Sequence, residues 1–325
     1  MSLLKDSVCK YKVKEFSLYP NFNTAGLMLE VTNICNHNCI FCNQSKNDRI
    51  KRHIDSDLAF RILGEAAELG INKVGLFMSG EPFANRNIVN YVKFAKEQGI
   101  KYVYITTNGA LADEKVLKEV LDCGLDSIKF SINAGSRETY RVVHGRDDYD
   151  KVINNLKFVY NYRNDKSLNC NIYSSFVITK YTINEVELHY KRIINYVDDI
   201  VFYKTQNRAG QNIDEQRDLY VDVNNNKVQE YIEKKAPCPL LFSTINVTCE
   251  GYLALCCEEV MNLLVLEDLN KISIKEAWYS DKMVTMRQRH INNELFGTQC
   301  YNCIYQTNTK VKPLNEELFL LSRKG

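Results

Sequence analysis

The chain has 325 residues, 45% of them hydrophobic and 25% charged, and carries a formal net charge of +2. That length suffices for two domains or for one large α/β domain with an appendage, and so small a charge gives no electrostatic reason to expect nucleic acid or an anionic membrane as partner. The N-terminal run Met1-Ser2-Leu3-Leu4-Lys5-Asp6 lacks the apolar stretch of a signal peptide and no apolar run approaches the roughly 18–20 residues that span a bilayer, so the expectation is a cytoplasmic protein that binds neither nucleic acid nor membrane.

Residues 1–25 read as an extension ahead of the first strand. From Gly26 to about Gln206, short apolar runs with strand character alternate with amphipathic helical runs. Strands are predicted over 27–32, 73–78, 102–106, 127–132, 171–178 and 200–204, and helices over 56–69, 87–98, 113–122, 149–162 and 184–196. Gly70, Gly99 and Gly124 fall where the first three helices should stop. Strict alternation implies a parallel sheet with helices outside it. Six units are too few for a closed eight-stranded barrel, so the expected fold is α/β: a partial (β/α)6 TIM-like barrel with its site at the C-terminal strand ends. Residues 207–226 are rich in Asn, Gln, Asp and Arg and read as a linker or partly helical connector. The alternation stops there, and a domain boundary near residue 215 separates a 26–215 barrel from a small Cys-rich C-terminal domain over 216–325. That domain is expected to hold a hairpin of strands 244–248 and 252–255 turning at Glu250-Gly251, and a helix over 274–289 in which Trp278 serves packing.

Twelve cysteines are many for a cytosolic chain, where disulfides are disfavoured and clustered thiols bind metal or do chemistry. Cys9, Cys123 and Cys170 are isolated and read as small hydrophobes. The run Cys35-Asn36-His37-Asn38-Cys39-Ile40-Phe41-Cys42 directly follows the first strand. Three thiolates at C-x3-C-x2-C spacing can hold three irons of a [4Fe–4S] cube and leave the fourth with an open position. The competing reading is zinc completed by a fourth ligand such as His37.

This triad, with an aromatic before its last cysteine, resembles the radical S-adenosylmethionine (SAM) superfamily. Three further motifs follow in order. Ser79-Gly80-Glu81-Pro82 resembles the family's Gly-Gly-Glu-Pro segment, Thr106-Thr107-Asn108-Gly109 follows strand three, and Ser131-Ile132-Asn133 ends strand four. The resemblance spans about residues 26–206 and implies that Cys35, Cys39 and Cys42 ligate a SAM-binding [4Fe–4S] cluster. It assigns cofactor contacts to Phe41, Ser79, Gly80, Glu81, Pro82, Thr107, Asn108, Ser131, Asn133 and His144. Ser79 departs from the usual glycine, and Asn133 stands where relatives often carry Asp. His144 sits where many relatives place an arginine for the cofactor carboxylate; Arg141 or Arg146 would substitute for it, and a solvated loop histidine is the alternative for His144.

Beyond residue 215, Cys238, then Gly251 four residues before Cys256, then Cys300-Tyr301-Asn302-Cys303 resembles the start of the SPASM extension in its shortened twitch form, since no cysteine follows Cys303. The resemblance implies one auxiliary [4Fe–4S] cluster on Cys238, Cys256, Cys300 and Cys303. Spacing alone also allows a four-cysteine zinc site. Alignment on Gly251 selects Cys256 over its neighbour Cys257. Cys249 and Cys257 are bystanders on the hairpin or, alternatively, thiol hydrogen donors near substrate.

The implied activity is that of a radical SAM oxidoreductase with an electron donor such as flavodoxin or ferredoxin. The cluster count resembles the radical SAM dehydrogenase of aminocyclitol pathways, so a sugar- or cyclitol-like alcohol is the first substrate expected. The alternatives are a peptide-modifying maturase or epimerase, disfavoured because only about 25 residues precede the first strand, and a non-catalytic zinc or cluster module. Candidate proton-transfer groups lie at the ends of strands five and six: Lys180, Tyr203, Lys204 and Arg208.

Overall fold

Ten strands form one sheet in the computed structural model, which describes residues 16–222, 228–229 and 235–324. Residues 1–15 of the expected extension, with Cys9, and residues 223–226 of the expected connector lie outside the described residues.

The predicted strands appear as β1 (Gly26–Leu29), β2 (Lys73–Gly75), β3 (Tyr102–Thr107), β4 (Ser127–Ser131), β5 (Asn171–Ile178) and β6 (Asp199–Lys204). Each pairs in parallel with the next, and β7 (Val228–Gln229) extends the edge beside β6. Helices α1 (Ser56–Glu68), α2 (Ile88–Glu97), α3 (Glu114–Asp122), α4 (Arg137–His144), α5 (Tyr149–Asp165) and α6 (Val186–Ile193) supply the crossovers. α1 begins because Asp55 accepts the Leu58 N–H at 3.0 Å, and it buries Leu58, Ile62, Leu63 and Ala66, spaced along one face. α4 is too short to announce itself by periodicity; Ser136 caps it through the Thr139 N–H.

Three features differ from the sequence expectation. β1 and β2 are shorter than predicted, because the chain leaves the sheet early at both C-terminal ends to build the site. The predicted helix over 274–289 is two helices, α9 (Ile274–Trp278) and α10 (Asp281–Ile291), split where Ser280 caps the second through the Met283 N–H at 3.3 Å. Most consequentially, the hairpin strands β8 (Thr244–Val247) and β9 (Tyr252–Ala254) do not stand apart. β8 pairs in parallel with β1 along four residues, and β9 and β10 (Val265–Asp268) continue the sheet antiparallel. Gly251, at φ 88°, makes the hairpin turn possible. The remaining helices are α7 (Ile213–Leu219), α8 (Leu240–Ser243), α11 (Gln299–Tyr305) and α12 (Glu316–Leu321).

The C-terminal region packs around Trp278, which is fully buried as expected. Its indole N–H donates to the Pro20 carbonyl at 3.3 Å, and the Arg287 guanidinium lies 4.1 Å from the ring centroid. Arg287 also donates to the carbonyls of Leu18, Leu241 and Trp278, tying residues 18–20 to α9 and α10. Of the isolated cysteines, Cys170 is buried and Cys123 half-buried at the end of α3.

A buried ion cluster fixes the hairpin to β1. Arg49 Nη2 lies 2.6 Å from Glu30 Oε2, just past β1, and 2.5 Å from Glu250 Oε2, in the β8–β9 turn. The same guanidinium donates to the Val260 carbonyl at 3.3 Å. Glu30 also accepts the backbone N–H groups of Cys249 and Ser79. Burial alone would raise the Glu30 carboxyl, but the Arg49 charge and these donors hold it below its usual value. Glu30, Cys249 and Glu250 converge within 4.8 Å as cation ligands would, and the guanidinium occupies that centre.

Removing Arg49 strands two buried carboxylates. Arg49→Met is expected to lose about 3–5 kcal/mol of stability, read as a lowered urea midpoint. Combining it with Glu30→Gln and Glu250→Gln should recover most of that loss.

Candidate functional site

The cysteine triad occupies the loop between β1 and α1. Buried Asn33 anchors the loop's start: its amide donates to the Ile50 carbonyl at 2.8 Å and accepts the Arg52 N–H at 2.8 Å. Cys35, Cys39 and Cys42 line one cavity of about 220 Å³. Burial pushes the Cys35 thiol up to about 12, with neighbouring Cys42 among the further causes, and pushes Cys39 well above its usual value, with Cys42 and Cys35 adding to it. Three sulfurs crowded in a desolvated pocket ionise together only around cations, so the donor set fits an iron–sulfur cluster. His37 converges with Cys39 and His144 rather than completing a site with all three cysteines, and its Nε2 donates to Asp148 at 3.0 Å.

The motif residues gather around this loop through Glu81. Its carboxylate accepts the Thr107 hydroxyl at 2.6 Å and the backbone N–H groups of Asn108 at 2.7 Å and Phe83 at 3.2 Å. Its own N–H donates to the Ile34 carbonyl at 2.8 Å. One residue, through its side chain and its backbone N–H together, thus joins the ends of β2 and β3 to the cysteine loop. Burial pushes its carboxyl up to about 7 even against those donors. Gly80 meets the loop so closely that a Cβ would lie 2.2 Å from the Thr32 carbonyl oxygen. The Ser79 hydroxyl donates to Glu30, linking the motif to the ion cluster. Asn108 donates to Asn36 at 2.8 Å.

Ser79, Gly80, Glu81, Thr107, Asn108, Ser131, Asn133, His144 and Phe41 all line the cavity, whereas Pro82 is buried outside it at the start of a 3-10 turn. Asn133 adopts φ 52°, a conformation asparagine tolerates, and its side-chain Oδ1 accepts the Val177 N–H at 2.9 Å. His144 is buried, not solvated. Its Nε2 donates to the Ile132 carbonyl at 2.7 Å, leaving Nδ1 as an acceptor 3.3 Å from Cys39 Sγ. Burial drives its pKa down to about 3, so it is a neutral imidazole stacked on Tyr140 at 4.1 Å. Its Nε2 proton is committed to the Ile132 carbonyl, and Arg146 is exposed with its Nε on the Asn36 carbonyl. Arg208 is the guanidinium that reaches the cavity; its Nε donates to the Phe41 carbonyl at 3.2 Å.

A second cavity, of about 30 Å³, is lined by Cys238, Cys256, Cys300 and Cys303 within an apolar shell that includes Leu240, Leu241 and Leu264. Burial pushes the Cys300 thiol well above its usual value, and Cys238, Cys303 and Cys256 raise it further, so the four sulfurs crowd one another as the first three do. Cys257 faces the other way and lines the first cavity with Glu258 and Val260. The adjacent cysteines are therefore divided between the two cavities.

Two candidate residues lie away from the cavity, and Cys249 takes its bystander reading. Cys249 lies in the Arg49 cluster, buried by Glu30 and Glu250, and does not line the first cavity. Lys180 is paired with Asp218 at 2.9 Å outside it. Tyr203, Lys204 and Arg208 do line it. The stretch expected as a linker begins as a bridge: Asn207 donates to the Cys303 carbonyl at 2.7 Å, and Gln211 contacts Asn43 and Glu259. Sequence reasoning missed Asn33, Arg49 and Gln211, whose only signal is polarity in loops.

The family model of the radical SAM superfamily matches residues 29–193, just over half of the chain. The chain is a radical SAM superfamily member. A model for an iron–sulfur cluster-binding domain, SPASM, matches residues 238–304. An uncharacterised protein of Methanocaldococcus jannaschii is 30% identical over 234 residues, covering 69% of this chain and 73% of that one. A probable GTP 3′,8-cyclase of Saccharolobus islandicus is 34% identical over 131 residues, 40% of this chain and 42% of the cyclase. Among solved structures, BtrN in complex with AdoMet and 2-DOIA superposes with a TM-score of 0.57 at 18% identity, covering 90% of this chain and 95% of BtrN. SuiB of Streptococcus suis bound to the precursor peptide SuiA gives 0.65 at 15% identity, covering 93% of this chain and 72% of SuiB. This radical SAM enzyme thus takes SAM on a [4Fe–4S] cluster and carries an auxiliary iron–sulfur cluster. Among the described residues no helix is long and apolar enough to cross a membrane.

Assigning the second cluster to the cavity that holds Cys256 separates the two neighbours by experiment. Cys256→Ala should lower iron from about eight to about four per chain, while Cys257→Ala should leave it unchanged, both read by iron and sulfide analysis after anaerobic reconstitution.

Proposed function

We propose that this radical SAM enzyme is an oxidoreductase that dehydrogenates a small sugar- or cyclitol-like alcohol. The observation that carries the reading is the split of Cys256 and Cys257, which sets the auxiliary site one residue away from the wall of the SAM cavity. When bound, the reduced cluster and SAM supply a radical able to take hydrogen from an unactivated C–H.

Cys35, Cys39 and Cys42 are assigned to the first cluster and Cys238, Cys256, Cys300 and Cys303 to the auxiliary one. Glu81, Thr107, Asn108, Ser131 and Asn133 hold the cofactor, and Arg208 is assigned to its carboxylate in place of His144. The remaining wall offers hydrogen-bonding groups, Lys129, Ser175, Tyr203, Lys204 and Gln206 among them, which suits a polyol. Glu258 is the second carboxylate in that wall besides Glu81, among the described residues, and is the proposed acceptor of the alcohol proton. Cys238, Cys256, Cys300 and Cys303 would hold the auxiliary cluster, which would supply an acceptor for the second electron, and the 256–257 step would set it beside the wall of the SAM cavity.

Anaerobic turnover with dithionite and a panel of cyclitols and sugars tests this. The expected result is 5′-deoxyadenosine and ketone formed in equal amounts, with Glu258→Gln slowing ketone formation about 10²-fold while SAM cleavage persists. Modification of a peptide with no ketone from any alcohol would replace this reading with that of a peptide maturase.

A further inference from the structure

Beside the auxiliary cysteines lies a histidine that neither the motifs nor the proposed chemistry uses. His290, near the end of α10, is fully buried and lines the same cavity as Cys238, Cys256, Cys300 and Cys303. Its Nδ1 accepts the backbone N–H of Cys238 at 3.4 Å. A nitrogen that accepts carries no proton, so the neutral ring bears its proton on Nε2. That Nε2 is buried and has no hydrogen-bond partner among the described residues. Leaving such a donor unmet costs about 1–3 kcal/mol. The side chains that share the cavity are aliphatic apart from Lys235, itself a donor, and the four sulfurs.

We propose that His290 is a positioning residue for the auxiliary cluster, donating its Nε2–H to a cluster sulfur, either a cysteine thiolate or an inorganic sulfide. The inference rests on the reading that these four cysteines hold that cluster. The ring acts at both ends. Nδ1 fixes the backbone of the ligand Cys238, and Nε2–H places positive charge density against sulfur. Hydrogen bonds to sulfur stabilise the more negative, reduced state of an iron–sulfur cluster and raise its potential. That is the direction an electron acceptor needs.

The test uses the full chain with Cys35→Ala, Cys39→Ala and Cys42→Ala, so that only the auxiliary cluster remains, reconstituted anaerobically with 15N-histidine. About four irons per chain are expected, and pulsed EPR of the reduced cluster should show coupling to one histidine nitrogen and to an exchangeable proton. His290→Phe should keep the iron, lose both couplings and lower the reduction equilibrium constant at least tenfold, which is about 59 mV for a one-electron couple. His290→Gln, which keeps an N–H, should regain part of the potential. An intact cluster without histidine coupling in the parent overturns the proposal, as does a potential unmoved in His290→Phe. A parent that binds no iron overturns instead the assignment of the four cysteines.

Discussion

The guanidinium of Arg49, buried between the carboxylates of Glu30 and Glu250, is the constraint on which the arrangement of both cavities depends. Arg49 and its two carboxylate partners belong to three segments far apart in sequence: the stretch after the cysteine triad, the end of β1 and the β8–β9 turn. Hydrophobic contact between them would be tolerant of small slides. Directional donors on one planar group, facing acceptors that have no water to fall back on, are not. The Ser79 hydroxyl binds Glu30 as well, so the departure from glycine at that position joins the cofactor motif to the same cluster.

Around this fixed point the chain uses short bridges to bring two metal chemistries together. Residues 207–211 touch the Cys303 carbonyl at one end and Asn43, just beyond the triad, at the other. Residues 256 and 257 face opposite cavities. Both bridges are segments of a few residues.

Much of this was legible in the sequence. The six parallel strands and most of their helices follow from periodicity, and the cysteine spacing with its ordered motifs identified the family. What failed did so for physical reasons. β8 reads as a hairpin strand from its local pattern; that its free edge meets β1 is decided by a contact more than two hundred residues away. Ser280, a single capping hydroxyl, breaks what looks like one helix. The candidate roles of Cys249 and Lys180 rested on a place on the hairpin and at the end of strand five, and the ion pairs that claim their surroundings cannot be seen in one dimension. The sequence left His144 open between the cavity and solvent; it lines the cavity, and which of its nitrogens carries the proton depends on the Ile132 carbonyl.

The parallel pairing of β8 with β1 has a consequence for how the molecule is made. Residues 26–29 emerge early from the ribosome, yet their partner strand on one side is residues 244–247. Until that segment arrives, β1 is an open edge beside the cysteine triad, and loop-closure entropy makes so distant a pairing slow. The cysteines of the first loop therefore pass through a period when their pocket has one wall missing. Closure of the sheet then walls the loop from one side and brings Glu250 to Arg49.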